Sequence, residues 1–233
     1  MRAPPSEPRV SIVIPVYDRA RTLGRAIDSV RAQDLADWEL IVVDDGSTDA
    51  SAAVAEGYGD PRIRVLRHPA NRGASAARNS GIAAAAGRYV AFLDSDDEWR
   101  PGKLAAQLAA LEAGGDAPDV LCTGFILHHA AAGLTRARIP RPHRGEGWFA
   151  TMLDGCYVSP GSTLIARRPV FAAGGPLDEG LPRLEDWDWL LRALAAFRFD
   201  CLPMAGAVVH AGQPPRAEAV EVATERLLHL HAE

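Results

Sequence analysis

The sequence predicts an α/β fold in which a mostly parallel central sheet is flanked by helices, and three observations lead there. Strand-length apolar runs recur through the first hundred residues, with segments of helical periodicity between them. The runs are apolar at successive rather than alternate positions, as in strands buried on both faces. Three of them end in polar clusters, at 15–18, 44–45 and 94–97. In a parallel sheet these ends share one rim, where ligands sit.

The first run is Val10 to Val16, and Pro15 near its end has no N–H for a ladder. Asp18 then offers a cap for a helix whose Leu23, Ala26, Ile27 and Val30 recur at i, i+3, i+4, i+7. Glu39 to Val43 is the second strand, and Asp44-Asp45-Gly46-Ser47-Thr48-Asp49 after it is turn and helix-start chemistry. Ile63 to Leu66 is the third strand. Ala74 to Ala86 reads as an Ala-rich helix, with Gly87 where a C-cap residue is expected. Tyr89 to Leu93 is the fourth strand and runs into Asp94-Ser95-Asp96-Asp97.

Beyond residue 100 the alternation loosens. Lys103 to Ala113 reads as a helix, and Val120 to Leu127 as a strand with a return strand to Ile139 after a turn at Gly133. Ser162 to Ala166 reads as a strand and Leu184 to Phe197 as a helix. Phe199 to Leu202 and Ala207 to His210 read as a short β pair. Residues 216–233 are amphipathic, with Val220, Ala223, Leu227 and Leu230 on one stripe.

At 233 residues and 48% apolar content the chain supplies a full core, and no flexible linker divides it. We read an N-terminal arm over 1–9, one domain over 10–213 with a nucleotide-binding half (10–100) and an acceptor half (101–213), and a C-terminal amphipathic helix over 214–233. The net charge of −5 argues against nucleic acid as a partner. Three separated cysteines exclude a disulfide framework and a Cys-x-x-Cys site. With no signal-peptide or membrane-spanning run, the expected location is the cytoplasm, with at most peripheral contact at the inner face of the membrane.

Absent motifs set aside several chemistries: there is no Gly-x-Gly-x-x-Gly, no P-loop, no nucleophile elbow and no His-Glu-x-x-His. Carboxylates at strand ends remain. Asp-x-Asp occurs at Asp94/Asp96 and Asp186/Asp188, no more often than chance supplies, so its weight comes from context. Acids clustered at a sheet rim fit a Mg²⁺ or Mn²⁺ site and fit a solvated acidic turn equally well. Asp44-Asp45 suits both a turn and a carboxylate that accepts from a base edge. Glu185-Asp186 suits both helix capping and catalysis, and His210 both a packed core histidine and a ligand.

Taken jointly and in order, these strings resemble the family 2 inverting glycosyltransferases with the GT-A (Rossmann-like) fold, over roughly Pro8 to Gln213. The strings are Val10-Ser11-Ile12-Val13-Ile14-Pro15-Val16-Tyr17, Trp38 to Asp49, Asn71-Arg72-Gly73-Ala74-Ser75-Ala76-Ala77-Arg78-Asn79, Tyr89 to Asp97, Gly174-Gly175-Pro176-Leu177-Asp178-Glu179 and Leu184 to Arg192. The resemblance implies a donor of the UDP- or dTDP-sugar type, a saccharide or lipid-linked acceptor, Mn²⁺ or Mg²⁺ as cofactor, and work in cell-envelope polysaccharide biosynthesis. It assigns Pro15 and Tyr17 to the nucleotide pocket, Asp45 to the N3–H of a uracil or thymine ring, and Arg78, Asp94 and Ser95 to further donor contacts. Asp96 and His210 would bind the metal. Asp186 would be the general base, with Glu185 beside it.

The chain departs from the family pattern at three places. Asp18 stands where many members have Asn, and His210 is followed by Ala-Gly-Gln-Pro-Pro rather than a serine-bearing stretch. The Gln-x-x-Arg-Trp stretch of processive synthases is missing, so transfer of a single sugar is expected. The rival readings are a nucleotidyltransferase, which would usually carry a Gly-rich basic loop after the first strand, and a non-catalytic nucleotide-binding relative.

Overall fold

The computed structural model describes residues 7–142, 147–211 and 222–226. In the first half β1 (Val10–Val16), α1 (Leu23–Arg31), β2 (Trp38–Asp44), α2 (Ser51–Glu56), β3 (Ile63–Arg67), α3 (Ala74–Ala84) and β4 (Tyr89–Phe92) alternate. The order β3-β2-β1-β4 is parallel throughout. Then follow β5 (Glu98–Trp99), α4 (Lys103–Leu111), β6 (Val120–His129), β7 (Leu134–Arg138), α5 (Trp148–Asp154), α6 (Pro160–Thr163), β8 (Ile165–Arg167), α7 (Arg168–Ala173), α8 (Glu185–Leu194) and β9 (Phe199–His210). These strands extend the same sheet as β4-β8-β6-β9-β5, with β7 paired to β6. β8 runs antiparallel to β4 and β6, whereas β9 runs parallel to β6, and parallel pairing accounts for most of the registered residue pairs.

The sheet has a core on each face because successive strand residues point to opposite sides. Ile12 and Ile14 pack with Leu23, Ile27 and Leu108 on one face, while Val13 packs with Ala77, Phe92 and Trp189 on the other. Gly81 sets the second layer's spacing. A Cβ there would lie 2.3 Å from a methyl of Val13, so only glycine lets α3 lie this close to β1. Phe171 stacks on Trp189 with ring centroids 4.4 Å apart, which ties α7 to α8 under the site.

Five sequence expectations are corrected or bounded. Asp18 does not cap α1, where Thr22 holds the N-cap position. It takes a left-handed conformation that Asp tolerates, and its carboxylate accepts from the N–H groups of Thr48 (2.8 Å) and Asp49 (3.2 Å) instead. α3 stops where Ala85 turns extended, and Gly87 serves a close approach to β1, since a Cβ there would sit 2.6 Å from the Ser11 nitrogen. Residues 160–163 form a helical turn begun by proline, and the strand starts only at Ile165. The expected short β pair is one strand, β9, whose register against β6 shifts around Gly124 and so admits Pro203. Of the expected C-terminal helix, residues 222–226 are helical, with Ala223 buried. The rest of it, and residues 1–6 of the arm, lie outside the described residues. Among the described residues no helix is long and apolar enough to cross a membrane.

Candidate active site

The carboxyl ends of β1, β2 and β4 open into a cavity of about 420 Å³, which gathers Pro15, Tyr17, Asp45, Asp94, Ser95 and Asp96. Six of the predicted site residues therefore meet on one rim. Arg19, Asn71 and Arg183 join them, and sequence reasoning did not single these out.

Asp45 is buried and holds the cavity wall together. Its carboxylate accepts from the N–H groups of Arg72 (3.0 Å) and Gly73 (2.7 Å) and lies 2.6 Å from His68 Nδ1. The other His68 nitrogen is 2.9 Å from the Ser80 hydroxyl, so the loop before α3 is tied at both ends. Gly73 takes φ +95, a conformation that favours glycine and aims its N–H at Asp45.

Arg78 lies beneath the rim, buried, and joins the two halves of the chain. Its guanidinium donates to Asp94 at 2.6 Å and to Glu185 at the start of α8. Burial alone would lower its pKa, but the charges of Asp94, Glu185 and Asp186 outweigh that and hold it above its ordinary value. Burial also pushes the Asp94 carboxyl up against the opposing pull of Arg78. Next in the chain, Asp97 is buried, accepts from the Ser162 hydroxyl and the His210 N–H, and is pushed up to about 8 by burial and the nearby Asp94 charge.

Asp186 sits in the first turn of α8. Its oxygens accept from the N–H groups of Trp187 (2.8 Å) and Gly161 (3.1 Å), which fixes its orientation. Burial pushes its carboxyl up to about 6, with the Glu185 charge adding to the effect and Arg78 opposing it. Gly161 stands between the two acids: a Cβ there would lie 2.5 Å from an Asp94 oxygen. Only glycine at that point lets α6 touch the cavity floor while its N–H reaches Asp186. The signal for such a glycine is a close approach, which no local sequence pattern reveals.

His210 is placed apart from this group. Its Nε2 is 2.8 Å from Glu98, its ring meets His128 edge-on at 5.3 Å, and it does not line the cavity. Asp96 does line the cavity, with its carboxylate 39% exposed and 3.7 Å from Arg19. Among the described residues no three-ligand metal cluster is preassembled. The donor set nevertheless fits Mg²⁺ or Mn²⁺, which are commonly held by one or two carboxylates with substrate phosphates completing the sphere. Asp96 is placed to supply the carboxylate, whereas Asp94 and Asp97 are engaged by Arg78, Ser162 and the His210 backbone.

A mostly parallel sheet whose carboxyl rim carries an acid-lined cavity, with a half-buried carboxylate one glycine away, places the chain among the α/β enzymes with their site at the strand ends. Residues 11–170 match glycosyl transferase family 2, and the chain belongs to that family. It is 44% identical over 108 residues to the succinoglycan biosynthesis protein ExoO of Rhizobium meliloti (strain 1021), a match covering 46% of this chain and 31% of that protein. It is 41% identical over 102 residues to the UDP-Glc:alpha-D-GlcNAc-diphosphoundecaprenol beta-1,3-glucosyltransferase WfgD of Escherichia coli, covering 44% and 40%. The matched stretches thus span less than half the length of these relatives. Among solved structures, S. aureus TarS 1-349 in complex with UDP-GlcNAc superposes with TM-score 0.78 at 22% identity, covering 95% of this chain and 65% of that one. The mannosyltransferase PcManGT from Pyrobaculum calidifontis, in complex with GDP-Man and Mn²⁺, gives 0.68 at 19% identity, covering 96% and 62%. At these identities the likeness is one of fold, and it agrees with the GT-A architecture.

Proposed function

We propose that this chain transfers one sugar from a nucleotide-diphosphate donor of the UDP or dTDP type to a hydroxyl of a saccharide or lipid-linked acceptor, with inversion at the anomeric carbon. The observation that carries the reading is the placement of Asp186, a half-buried carboxylate held one glycine away from Asp94 of the donor cavity. TarS, solved with UDP-GlcNAc, and the named UDP-Glc transferase support the donor type. The succinoglycan biosynthesis in the first relative's name supports cell-envelope polysaccharide assembly as the setting.

In this mechanism Pro15 and Tyr17 pack on the nucleoside, and Asp45 faces its base from the cavity wall. Arg19 and Arg183 offer positive charge to the diphosphate from the cavity's edge. A divalent cation, Mn²⁺ or Mg²⁺ held by Asp96, supplies neutralisation of the departing diphosphate when bound. The two N–H groups on Asp186 hold its carboxylate toward the acceptor hydroxyl, whose proton it takes as the oxygen attacks. One C–O bond forms at the anomeric carbon as the bond to diphosphate breaks on the opposite face, so an α-linked donor gives a β-linked product. Arg78 is a positioning residue that holds Glu185, and with it the start of α8, against Asp94.

Transfer from a panel of UDP- and dTDP-sugars, with product configuration read by NMR, tests this. Asp186→Asn is expected to lower kcat by about 10²–10⁴-fold while leaving nucleotide affinity intact. Near-normal turnover in that variant, or a product of retained configuration, would overturn the assignment.

A further inference from the structure

Arg183 lines the donor cavity and is exposed, and among the described residues it makes no hydrogen bond or ion pair. Its place is therefore set by the backbone that carries it, the turn 177–183 between α7 and α8. Leu184 follows in a left-handed conformation, and α8 then begins with Glu185 and Asp186. The turn thus presents a cation to the donor cavity on the way to the proposed base.

Three contacts fix this turn. Asn79 of α3 clamps Leu177, accepting its N–H and donating to its carbonyl, both at 2.9 Å. Glu179 accepts from Arg72 and from Asn79, each at 3.2 Å. The third contact comes from residues 222–226, far along the chain. Arg226 grips the Asp178 carboxylate as a fork, donating from Nε to Oδ2 at 3.0 Å and from Nη2 to Oδ1 at 3.1 Å and Oδ2 at 2.8 Å. The same carboxylate shapes the turn, because its Oδ1 accepts the Gly180 N–H at 2.8 Å. Gly180 lies close against the guanidinium, where a Cβ would sit 2.6 Å from Nη2. Arg226 shares its short helical segment with Ala223, which is buried.

An ion pair this exposed, 46% for Arg226 and 24% for Asp178, contributes little to stability, but a guanidinium fork fixes the direction of the carboxylate it holds. Asp178 lies five residues before Arg183, with Leu181 buried between them, so a shift at Asp178 carries to the cavity edge. Both ends of the contact lie beyond 11–170, the stretch that matches the family, and Arg226 does not itself line the cavity. We propose that Arg226 is a positioning residue: by holding Asp178 it sets the turn that presents Arg183 to the donor's diphosphate. The segment 222–226 thereby takes part in donor binding from outside the cavity. This inference rests on the donor reading above and adds to it a residue that acts through Arg183.

The test is calorimetric titration of UDP, with Mn²⁺ present, into the full chain as wild type, Arg226→Ala, Arg183→Ala and the double Ala variant. Each single variant is expected to weaken UDP binding about fivefold or more. Because Arg226 acts through Arg183, the double variant is expected to bind within about twofold of Arg183→Ala rather than to show the product of the two losses. A purely structural role for Arg226 would multiply the losses, so the cycle decides the matter even where the melting temperature falls. Arg226→Lys keeps the charge without the fork and is expected to recover only part of the affinity. Wild-type affinity in Arg226→Ala, or losses that multiply in the double variant, would overturn the proposal and leave the donor reading standing. A wild-type chain that binds no UDP would overturn both.

Discussion

Replacing Arg78 with methionine probes the link between the two halves of the chain. The side chain is 5% exposed and faces Asp94, 35% exposed, and Glu185, 13% exposed. Removing one partner of a buried ion pair typically costs about 3–5 kcal/mol. Water can reach the partly exposed Asp94 once the guanidinium is gone, which places the expected loss near the lower bound, about 3 kcal/mol. For a domain of this size that lowers Tm by roughly 6–12 °C. The loss has a definite pH signature. Without the cation, the native carboxylates bind protons more readily than the unfolded ones, so the variant's stability falls as pH rises. Urea unfolding of wild type and Arg78→Met at pH 5 and pH 8 is the assay, and the deficit is expected to be larger at pH 8. A deficit below about 1 kcal/mol at pH 8, or one that grows toward pH 5, would refute the reasoning.

Three further outcomes follow from the same geometry. Because burial pushes Asp186 up to about 6, kcat/KM for transfer should fall below that pH, by up to tenfold per unit, as the base is protonated; a flat profile from pH 7 to pH 5 contradicts this. Gly161→Ala puts a methyl 2.5 Å from an oxygen of Asp94, whose carboxylate Arg78 holds in place, so α6 must shift and Asp186 loses one of its two N–H partners. The expected result is at least a tenfold loss of kcat with a stability cost of about 1–3 kcal/mol, read from turnover and melting together. Lys103 is buried with its amine 2.7 Å from Gln107 and 4.0 Å from the centroid of the Trp99 ring, and burial pushes it down to about 7. Between pH 7 and pH 10 the unfolded chain holds the proton that the native chain has lost. Wild-type stability should therefore rise relative to Lys103→Met by up to about 1.4 kcal/mol per pH unit, and parallel curves would exclude it.

What the sequence revealed and what it hid divide along a physical line. β1, β2 and β4 were legible because strands buried on both faces must be apolar at every position, and the polar residues that end them mark the rim. Pro15, Asp45 and Asp94 to Asp96 thus fall together on the rim by strand order alone. The motif Leu184 to Arg192 likewise located α8. Contacts between distant segments were not legible: Arg78 is 107 residues from Glu185, and no local pattern couples them. Gly161 shows the same limit, since its value lies in what a Cβ would strike. Asp18 is ambiguous in the sequence because aspartate favours both helix caps and left-handed turns, and only the Thr48 and Asp49 N–H groups of a neighbouring loop decide between them.

The most direct test of the central claim is thermal denaturation with UDP, dTDP, GDP and ATP, each with and without Mn²⁺, on wild type and Asp96→Ala. A nucleotide at a hundred times its Kd stabilises the native chain by about 2.7 kcal/mol, or roughly 5–11 °C in a domain of this size. Such a shift is expected for UDP or dTDP, dependent on Mn²⁺ in wild type and with that dependence lost in Asp96→Ala. No shift with any nucleoside diphosphate, or a shift indifferent both to Mn²⁺ and to the loss of Asp96, would contradict it.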